Sequence, residues 1–235
     1  MTRRRFIADE VNADRAALTG SHAEHLSRVL RARIGQEFDI ATGDQVRQGR
    51  IVAISDERVE FELGVTVETA SIRPITMALA VFKFDRFEWA VEKCTELGAA
   101  RIVPVIARRT DAHLAHAAEK RVDRWRRIAR EASEQSRRLA TPEIAEPVKL
   151  KAYLASAQSK SRIILAETED QLQLRDLCAG SDEIVLAVGP EGGWTEEELK
   201  SFSAAGWHAA SLGATILRAE TAAIAALAVV QTLSE

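Results

Sequence analysis

Two stretches of this chain combine glycine turns with side chains able to do polar chemistry. They are Gly189-Pro190-Glu191-Gly192-Gly193-Trp194-Thr195 and Leu212-Gly213-Ala214-Thr215-Ile216-Leu217-Arg218-Ala219-Glu220-Thr221. Each reads as an apolar strand, a tight turn and a helix start. A turn without side chains lets a ligand approach peptide N–H and C=O groups, although an ordinary strand-to-helix connection has the same look. Thr195 with Glu198 has the spacing of a capping box, which starts the next helix sharply. Arg218 and Glu220 stand at the mouth of an almost wholly apolar helix, Ala222 to Leu233. They can close a structural ion pair or, beside a pocket, orient a polar substrate. Two such turns can meet at the carboxyl edge of a parallel sheet, where open α/β sheets bind ligands.

Other chemistries are excluded or weak. The turn lacks the Gly-Lys-Ser/Thr of a phosphate loop. It also lacks G-x-G-x-x-G spacing and an acidic residue placed to hold a ribose. His22 with His25, and His113 with His116, have no third and fourth metal ligand at suitable spacing. Cys94 and Cys178 lie far apart and fit neither a metal nor a disulfide framework. No Gly-x-Ser-x-Gly elbow occurs.

The elements that must position these residues fall into two regions. Residues 1–70 read as mostly β. A strand at Phe38–Ala41 and the alternating runs Val46–Ile54 and Val59–Val67 are separated by turns at Thr42-Gly43-Asp44 and Ser55-Asp56-Glu57. This predicts a small barrel. One helix interrupts it, with His22, His25, Leu26, Val29 and Leu30 at helical spacing, Ser21 as N-cap and Gly35 as stop. Residues 71–74, Ser-Ile-Arg-Pro, read as a linker.

From 75 to 235 strands alternate with helices, which predicts a largely parallel sheet. Strands are expected at Ile75–Phe82, Arg101–Ile106, Arg162–Ala166, Glu183–Val188 and His208–Leu212. Asp85 with Glu88 predicts a capped helix ending at Gly98. A long helix is expected over Glu119–Leu139, terminated by Thr141-Pro142. Others are expected near Lys149–Ser156, Gln173–Cys178, Thr195–Ala205 and Ala219–Leu233.

A chain of 235 residues with 46% hydrophobic content can bury a substantial core. It has no stretch long and apolar enough to span a bilayer. The start Met1-Thr2-Arg3-Arg4-Arg5-Phe6 has no apolar region behind it and is not read as a signal peptide. With its cysteine usage, this points to the cytoplasm. Net charge is −3, but unevenly spread: +3 over residues 1–35, −5 over 36–100, +6 over 101–140 and −7 over 141–235. The basic blocks are either solvated helix faces or the footprint of a polyanion.

The chain resembles the RsmE family of ribosomal RNA uridine N3-methyltransferases, within the SPOUT superfamily of knotted methyltransferases. The likeness runs nearly full length. It is carried by His25-Leu26-Ser27-Arg28-Val29-Leu30-Arg31, Lys83, Arg86, Glu92-Lys93-Cys94-Thr95-Glu96-Leu97-Gly98 and Arg108-Arg109-Thr110. It continues through Arg124-Trp125 to Glu131-Ala132, Glu134-Gln135-Ser136, Pro142-Glu143-Ile144, Gly189–Trp194 and Leu212–Thr221. One departure is Arg137-Arg138, where many relatives have Gly-Arg.

The resemblance implies an α/β protein. A small PUA-like RNA-binding β-barrel (1–70) and a linker (71–74) precede a SPOUT-type parallel sheet with a trefoil knot (75–235). It implies S-adenosyl-L-methionine as methyl donor, a homodimer through the knotted domain, no metal and no membrane. The target would be N3 of a specific uridine in 16S rRNA, in the small ribosomal subunit. The alternative within the fold is another RNA target, a ribose hydroxyl or a tRNA base. The alternative of another class is an RNA-binding assembly factor with a vestigial pocket. Donor contacts are expected from Leu165, Ala166, Glu167, Gly189, Pro190, Glu191, Gly192, Gly193, Leu212, Gly213, Ile216, Leu217, Ala219 and Thr221. Such a ligand has no phosphates and carries a sulfonium cation, which suits peptide and apolar walls in an acidic surround. Arg218, Glu220 and Glu167 are the candidate catalytic residues, orienting the uracil edge and assisting loss of its N3 proton. RNA contacts are expected from Arg3, Arg4, Arg5, His25, Arg28, Arg31, Lys83, Arg86, Lys93, Arg108, Arg109, Arg124, Arg127, Gln135 and Arg138.

Overall fold

A computed structural model describes residues 4–69, 73–157, 159–178 and 183–233. Arg3 and residues 71 and 72 of the expected linker (71–74) lie outside them. The chain forms two compact units: residues 1–71 with 133–141, and residues 72–132 with 142–235. The division drawn from sequence put 133–141 in the second domain; in the fold they group with the first unit.

The first unit is a six-stranded sheet. Its strands are β1 (Arg5–Ile7), β2 (Glu10–Asn12), β3 (Arg15–Thr19), β4 (Glu37–Ala41), β5 (Val46–Ile54) and β6 (Arg58–Val67), in the order β1-β4-β5-β6-β3-β2. β1 runs parallel to β4 and the other pairs are antiparallel. Only Ala8 and Asp9 separate the two edge strands, so the sheet curls strongly. Phe6, Phe38, Ile40, Ile51 and Phe61 fill its concave side with Leu26.

The predicted helix is altered. Helix α1 (Gly20–Glu24) has Thr19, not Ser21, at its N-cap. It widens into a π-helical turn over His25–Val29, closed by Leu30 N–H on His25 O. The chain then turns at Arg31, φ +50°, before reaching Gly35.

The second unit is a parallel sheet. It contains β7 (Ile75–Ala80), β8 (Ala99–Ile106), β9 (Glu143–Ile144), β10 (Val148–Lys149), β11 (Ser161–Leu165), β12 (Ile184–Val188) and β13 (His208–Ala210). Its order is β10-β8-β7-β12-β11-β13, with β9 also on β8. The helices are α2 (Phe84–Glu96), α3 (Ala112–Ala117), α4 (Val122–Gln135), α5 (Leu150–Ser156), α6 (Leu174–Leu177), α7 (Glu196–Ala204) and α8 (Ala219–Thr232).

Alternation along the strands divides the core. Met77, Leu79, Ile102, Ile163, Leu186 and Val188 face α2, α4 and α8. Ala78, Ala80, Val103, Ile164 and Ala187 face α5 and α7. The alanines leave depth on that second face for Tyr153, Trp194, Phe202 and Trp207.

Two predicted helix ends move. The Asp85–Glu88 box does not form: α2 begins at Phe84 with Lys83 as N-cap, so Asp85 is already inside the helix. Phe84 is drawn in by its packing near Trp125, centroids 6.1 Å apart.

Helix α4 ends at Gln135, not Leu139. Arg138 N–H donates to Ser133 O (2.9 Å) and Arg137 N–H to Glu134 O (3.3 Å), a Schellman turn. Arg137 holds the left-handed position at φ +57°, where glycine is the usual occupant. Its carbonyl accepts from Arg5 Nη1 at 2.6 Å, a contact glycine would keep. Left-handed backbone costs a side-chain-bearing residue roughly 1–2 kcal/mol, against about 0.4–1 kcal/mol of extra chain entropy for glycine in the unfolded state. Arg137→Gly is therefore expected to raise the urea midpoint modestly at unchanged slope. A lowered midpoint would mean that the arginine side chain itself supports the fold.

Candidate functional site

At the carboxyl edge of the second sheet, the ends of β11, β12 and β13 open onto a cavity of about 370 Å³. Both glycine turns line it. All of the expected donor-contact residues except Thr221 border it: Leu165, Ala166 and Glu167 after β11, Gly189 to Gly193 after β12, and Leu212, Gly213, Ile216, Leu217 and Ala219 after β13. Thr221 is exposed, one turn into α8. Sequence reasoning missed Thr168, Val188, Trp194, Glu196, Leu199, Ala210, Ser211, Ala214, Thr215 and Ala222, and placed Arg109 elsewhere. Trp194 carried a signal, since a large aromatic directly after a glycine pair has room to fold back over it.

The glycines do less for ligand access than their spacing suggests. A Cβ at Gly189 would meet the Trp194 indole at 3.2–3.4 Å, and one at Gly192 would stand 3.3 Å from Arg109 Cδ. Their missing side chains make room for the protein's own wall. Trp194 is buried, packs edge-on against Phe202 with centroids 4.9 Å apart, and donates from Nε1 to Leu165 O at 3.2 Å. That bond ties the end of β11 to the turn after β12. Gly193 and Gly213 do need glycine's freedom, with φ of +69° and +119°. The Thr195–Glu198 capping box forms as expected. Glu198 also accepts the Arg108 N–H at 2.7 Å.

The candidate catalytic residues do not share one wall. Glu167 borders the cavity. Arg218 is exposed at the N-cap of α8, between the lining residues Leu217 and Ala219. Glu220 is buried and turned toward α2, with Oε1 3.7 Å from Arg86 Nε. Its Oε2 is buried with no protein partner. Arg86 also lies 3.6 Å from Glu191.

Many of the expected RNA contacts are engaged within the chain. Arg28 pairs with Glu24 and Asp56, and its hydrogen bond holds the Asp56 carboxyl below its usual range. Lys93 lies between Glu92 and Glu96, which raise its pKa. Arg124 is raised by its hydrogen bond to Glu88. Arg138 is half-buried, and desolvation lowers it to about 10. Arg5 is half-buried against Arg137. Arg4, His25, Arg31, Lys83, Arg108, Arg127 and Gln135 have exposed side chains. His22, one of the weak metal candidates, sits between Asp9 (3.3 Å) and Glu134 (3.0 Å). Among the described residues no group of three or more His, Cys, Asp and Glu is placed to hold a metal ion.

A larger open hollow of about 920 Å³ lies toward the amino end of the strands. Its rim charges satisfy each other, Arg101 with Glu143 and Arg126 with Glu146. The smaller cavity carries the better-built chemistry. Among its lining residues Glu167, Glu191 and Glu196 stand against one cation, Arg109. Its other walls are apolar side chains and peptide with Thr168, Ser211 and Thr215, and no phosphate cradle. This composition fits a nucleoside-sized cationic ligand and disfavours a polyphosphate.

Over residues 69–231 the chain matches the family of RNA methyltransferase domains, which is the class that this sheet and cavity define. It is 34% identical over 227 residues to the ribosomal RNA small subunit methyltransferase E of Synechocystis, covering 93% of this chain and 73% of that protein. It is 31% identical to the protein of that name from Mycobacterium bovis, covering 93% and 87%. The chain belongs to the ribosomal RNA small subunit methyltransferase E family. The solved Neisseria gonorrhoeae member, bound to S-adenosyl methionine, superposes with a TM-score of 0.86 at 32% identity over 99% of this chain and 98% of that one. A methyltransferase of Legionella pneumophila in complex with SAM gives 0.85 at 28% identity, covering 99% and 98%.

Proposed function

We propose that this chain transfers a methyl group from S-adenosyl-L-methionine to N3 of one uridine in 16S rRNA. The observation that carries the reading is the carboxyl-edge cavity, walled by peptide and apolar groups and acidic at its rim. When bound there, the donor supplies an electrophilic methyl group. Leu165, Ala166, Leu212, Ile216, Leu217 and Ala219 would enclose its uncharged parts. Glu167, Glu191 and Glu196 complement its positive charge. In-line transfer demands alignment above all, so rigid strand ends are the main catalytic device.

Uracil N3 becomes a strong nucleophile once its proton leaves. Glu167, at the cavity edge, is assigned as the group that takes that proton. Arg218, at the positive end of α8, is assigned to stabilise the negative charge left on the ring. Glu220 acts from behind, steadying α8 against α2 through Arg86.

The remaining parts belong to the same reading. The curled first sheet is assigned as the PUA-like RNA-binding barrel, and the parallel sheet as the knotted SPOUT domain. The homodimer is assigned to the second unit, which exposes Trp89 (46%) on α2. Among the described residues no helix is long and apolar enough to cross a membrane. The substrate assigned here, the small ribosomal subunit, would place the enzyme in the cytoplasm.

The test is to incubate purified protein with undermethylated small subunits and labelled donor, then map the modified nucleotide. A single N3-methyluridine in 16S rRNA is the expected product. Label on a ribose hydroxyl or on tRNA moves the enzyme to another RNA target. Donor binding without transfer to any RNA leaves an assembly factor.

A further inference from the structure

We propose that Arg109 is a positioning residue of the donor-binding turn and does not contact RNA. The proposal rests on reading the carboxyl-edge cavity as the donor site. Arg109 follows β8, and its basic neighbourhood alone suggests a phosphate contact. Arg109 stays exposed, but its guanidinium is turned onto the loop after β12. Its Nη1 donates to the carbonyl of Gly192 and reaches the carbonyl of Trp194 at 3.4 Å. The aliphatic stem lies where a side chain at 192 would be, 3.3 Å from the Cβ position. Gly192 and Arg109 are thus complementary: the glycine exists to admit the arginine.

The loop that carries Arg109 is itself fixed. Arg108 N–H donates to the buried Glu198 carboxylate at 2.7 Å. Glu198 accepts as well from the Thr195 N–H and hydroxyl, at 2.9 and 3.1 Å. Thr110 donates to Val81 O at 3.1 Å and accepts from Ala107 N–H at 3.2 Å. Arg109 is therefore held between β7 and α7 while its guanidinium clasps the turn. Binding two carbonyls from one side fixes the peptide planes from 192 to 194. Gly193, left-handed between them, cannot reorient without breaking the clasp. A turn ordered before the donor arrives saves the entropy of ordering it on binding. With Nη1 on the two carbonyls the guanidinium faces the loop, so removing Arg109 should leave the number of counterions released on RNA binding unchanged.

The experiment compares wild type, Arg109→Ala and Arg109→Lys, each shown to be folded by its thermal transition. Donor Kd is measured by calorimetry. RNA affinity is measured across a salt series, and donor KM is separated from kcat. For Arg109→Ala we expect donor Kd and KM to rise about tenfold or more, as loss of a charge-assisted hydrogen bond allows. kcat at saturating donor should stay within about threefold, and RNA affinity and its salt slope should not change. Arg109→Lys keeps a donor on the carbonyls and should recover most of the donor affinity; if the alanine variant does not fold, Arg109→Gln, which also removes the charge, takes its place, with a raised donor Kd and an unchanged RNA salt slope as the expected result. Unchanged donor binding in both variants overturns the proposal. So does a fall in RNA affinity with a salt slope smaller by about one. If wild type itself binds no donor, the reading of the cavity fails, and that is a separate outcome.

Discussion

Trp194→Ala should lower the unfolding temperature substantially and weaken donor binding at the same time. The indole fills the space over Gly189, meets Phe202 edge-on and donates to the Leu165 carbonyl at 3.2 Å. Truncating a buried aromatic costs about 3–5 kcal/mol. The void borders a cavity that water can enter, which puts the expected loss near the lower figure. For a chain of this size each kcal/mol moves the midpoint by roughly 2–4 °C, so a fall of roughly 6–12 °C is expected from calorimetric scans. The same ring joins the ends of two cavity strands, so donor affinity should fall with stability.

Trp194→Phe separates the two contributions. It keeps a six-membered ring for Phe202 and drops the N–H with the pyrrole edge of the indole, and the hydrogen-bond part of the loss should be about 1–3 kcal/mol if the Leu165 carbonyl stays dry. If the alanine variant melts within 2 °C of wild type, about 0.5–1 kcal/mol on the same scaling, the indole is not the wall described above.

The parts of this site that were legible in the sequence are those whose signals are local. Strand, glycine turn and capped helix follow one another within a few residues at 184–204, and the Thr195–Glu198 box formed as its spacing required. The same spacing at Asp85–Glu88 failed, because Phe84 packs near Trp125, far along the chain, and pulls the helix start back. Strands β1 to β3 gave too little signal. β2 is exposed along its whole length and shows no buried alternation, and β1 spans only three residues. The π-helical turn at His25–Val29 has the same apolar spacing as an α-helix. Charge was the least legible feature. Arg28, Lys93, Arg109 and Arg124 look alike as basic residues, and only tertiary contacts show that their donors are directed at carboxylates or carbonyls within the chain.

The largest catalytic effect is expected from Arg218. It sits at the N-cap of α8, exposed, between two residues that line the cavity. In the reading proposed above, its guanidinium and the helix N-terminus present positive charge to the base that enters beside the donor. The charge that develops on uracil as the N3 proton leaves is the quantity such a group stabilises, and it is absent in the ground state. Removing one preorganised donor of this kind costs roughly 10²–10³ in rate. Arg218→Ala should therefore lower the single-turnover rate at saturating donor by about two to three orders of magnitude, with donor Kd within about threefold of wild type, since the charge it is assigned to stabilise arises only in the transition state. Raising the pH should recover part of the loss, because hydroxide can remove a proton that the enzyme no longer helps to release. Glu220→Gln behaves differently in this account. Its carboxylate faces Arg86 and not the cavity, so its loss should fall on stability first and on rate by a smaller factor. Wild-type single-turnover rates in both variants would remove the pair from the chemistry and leave Glu167 to carry it.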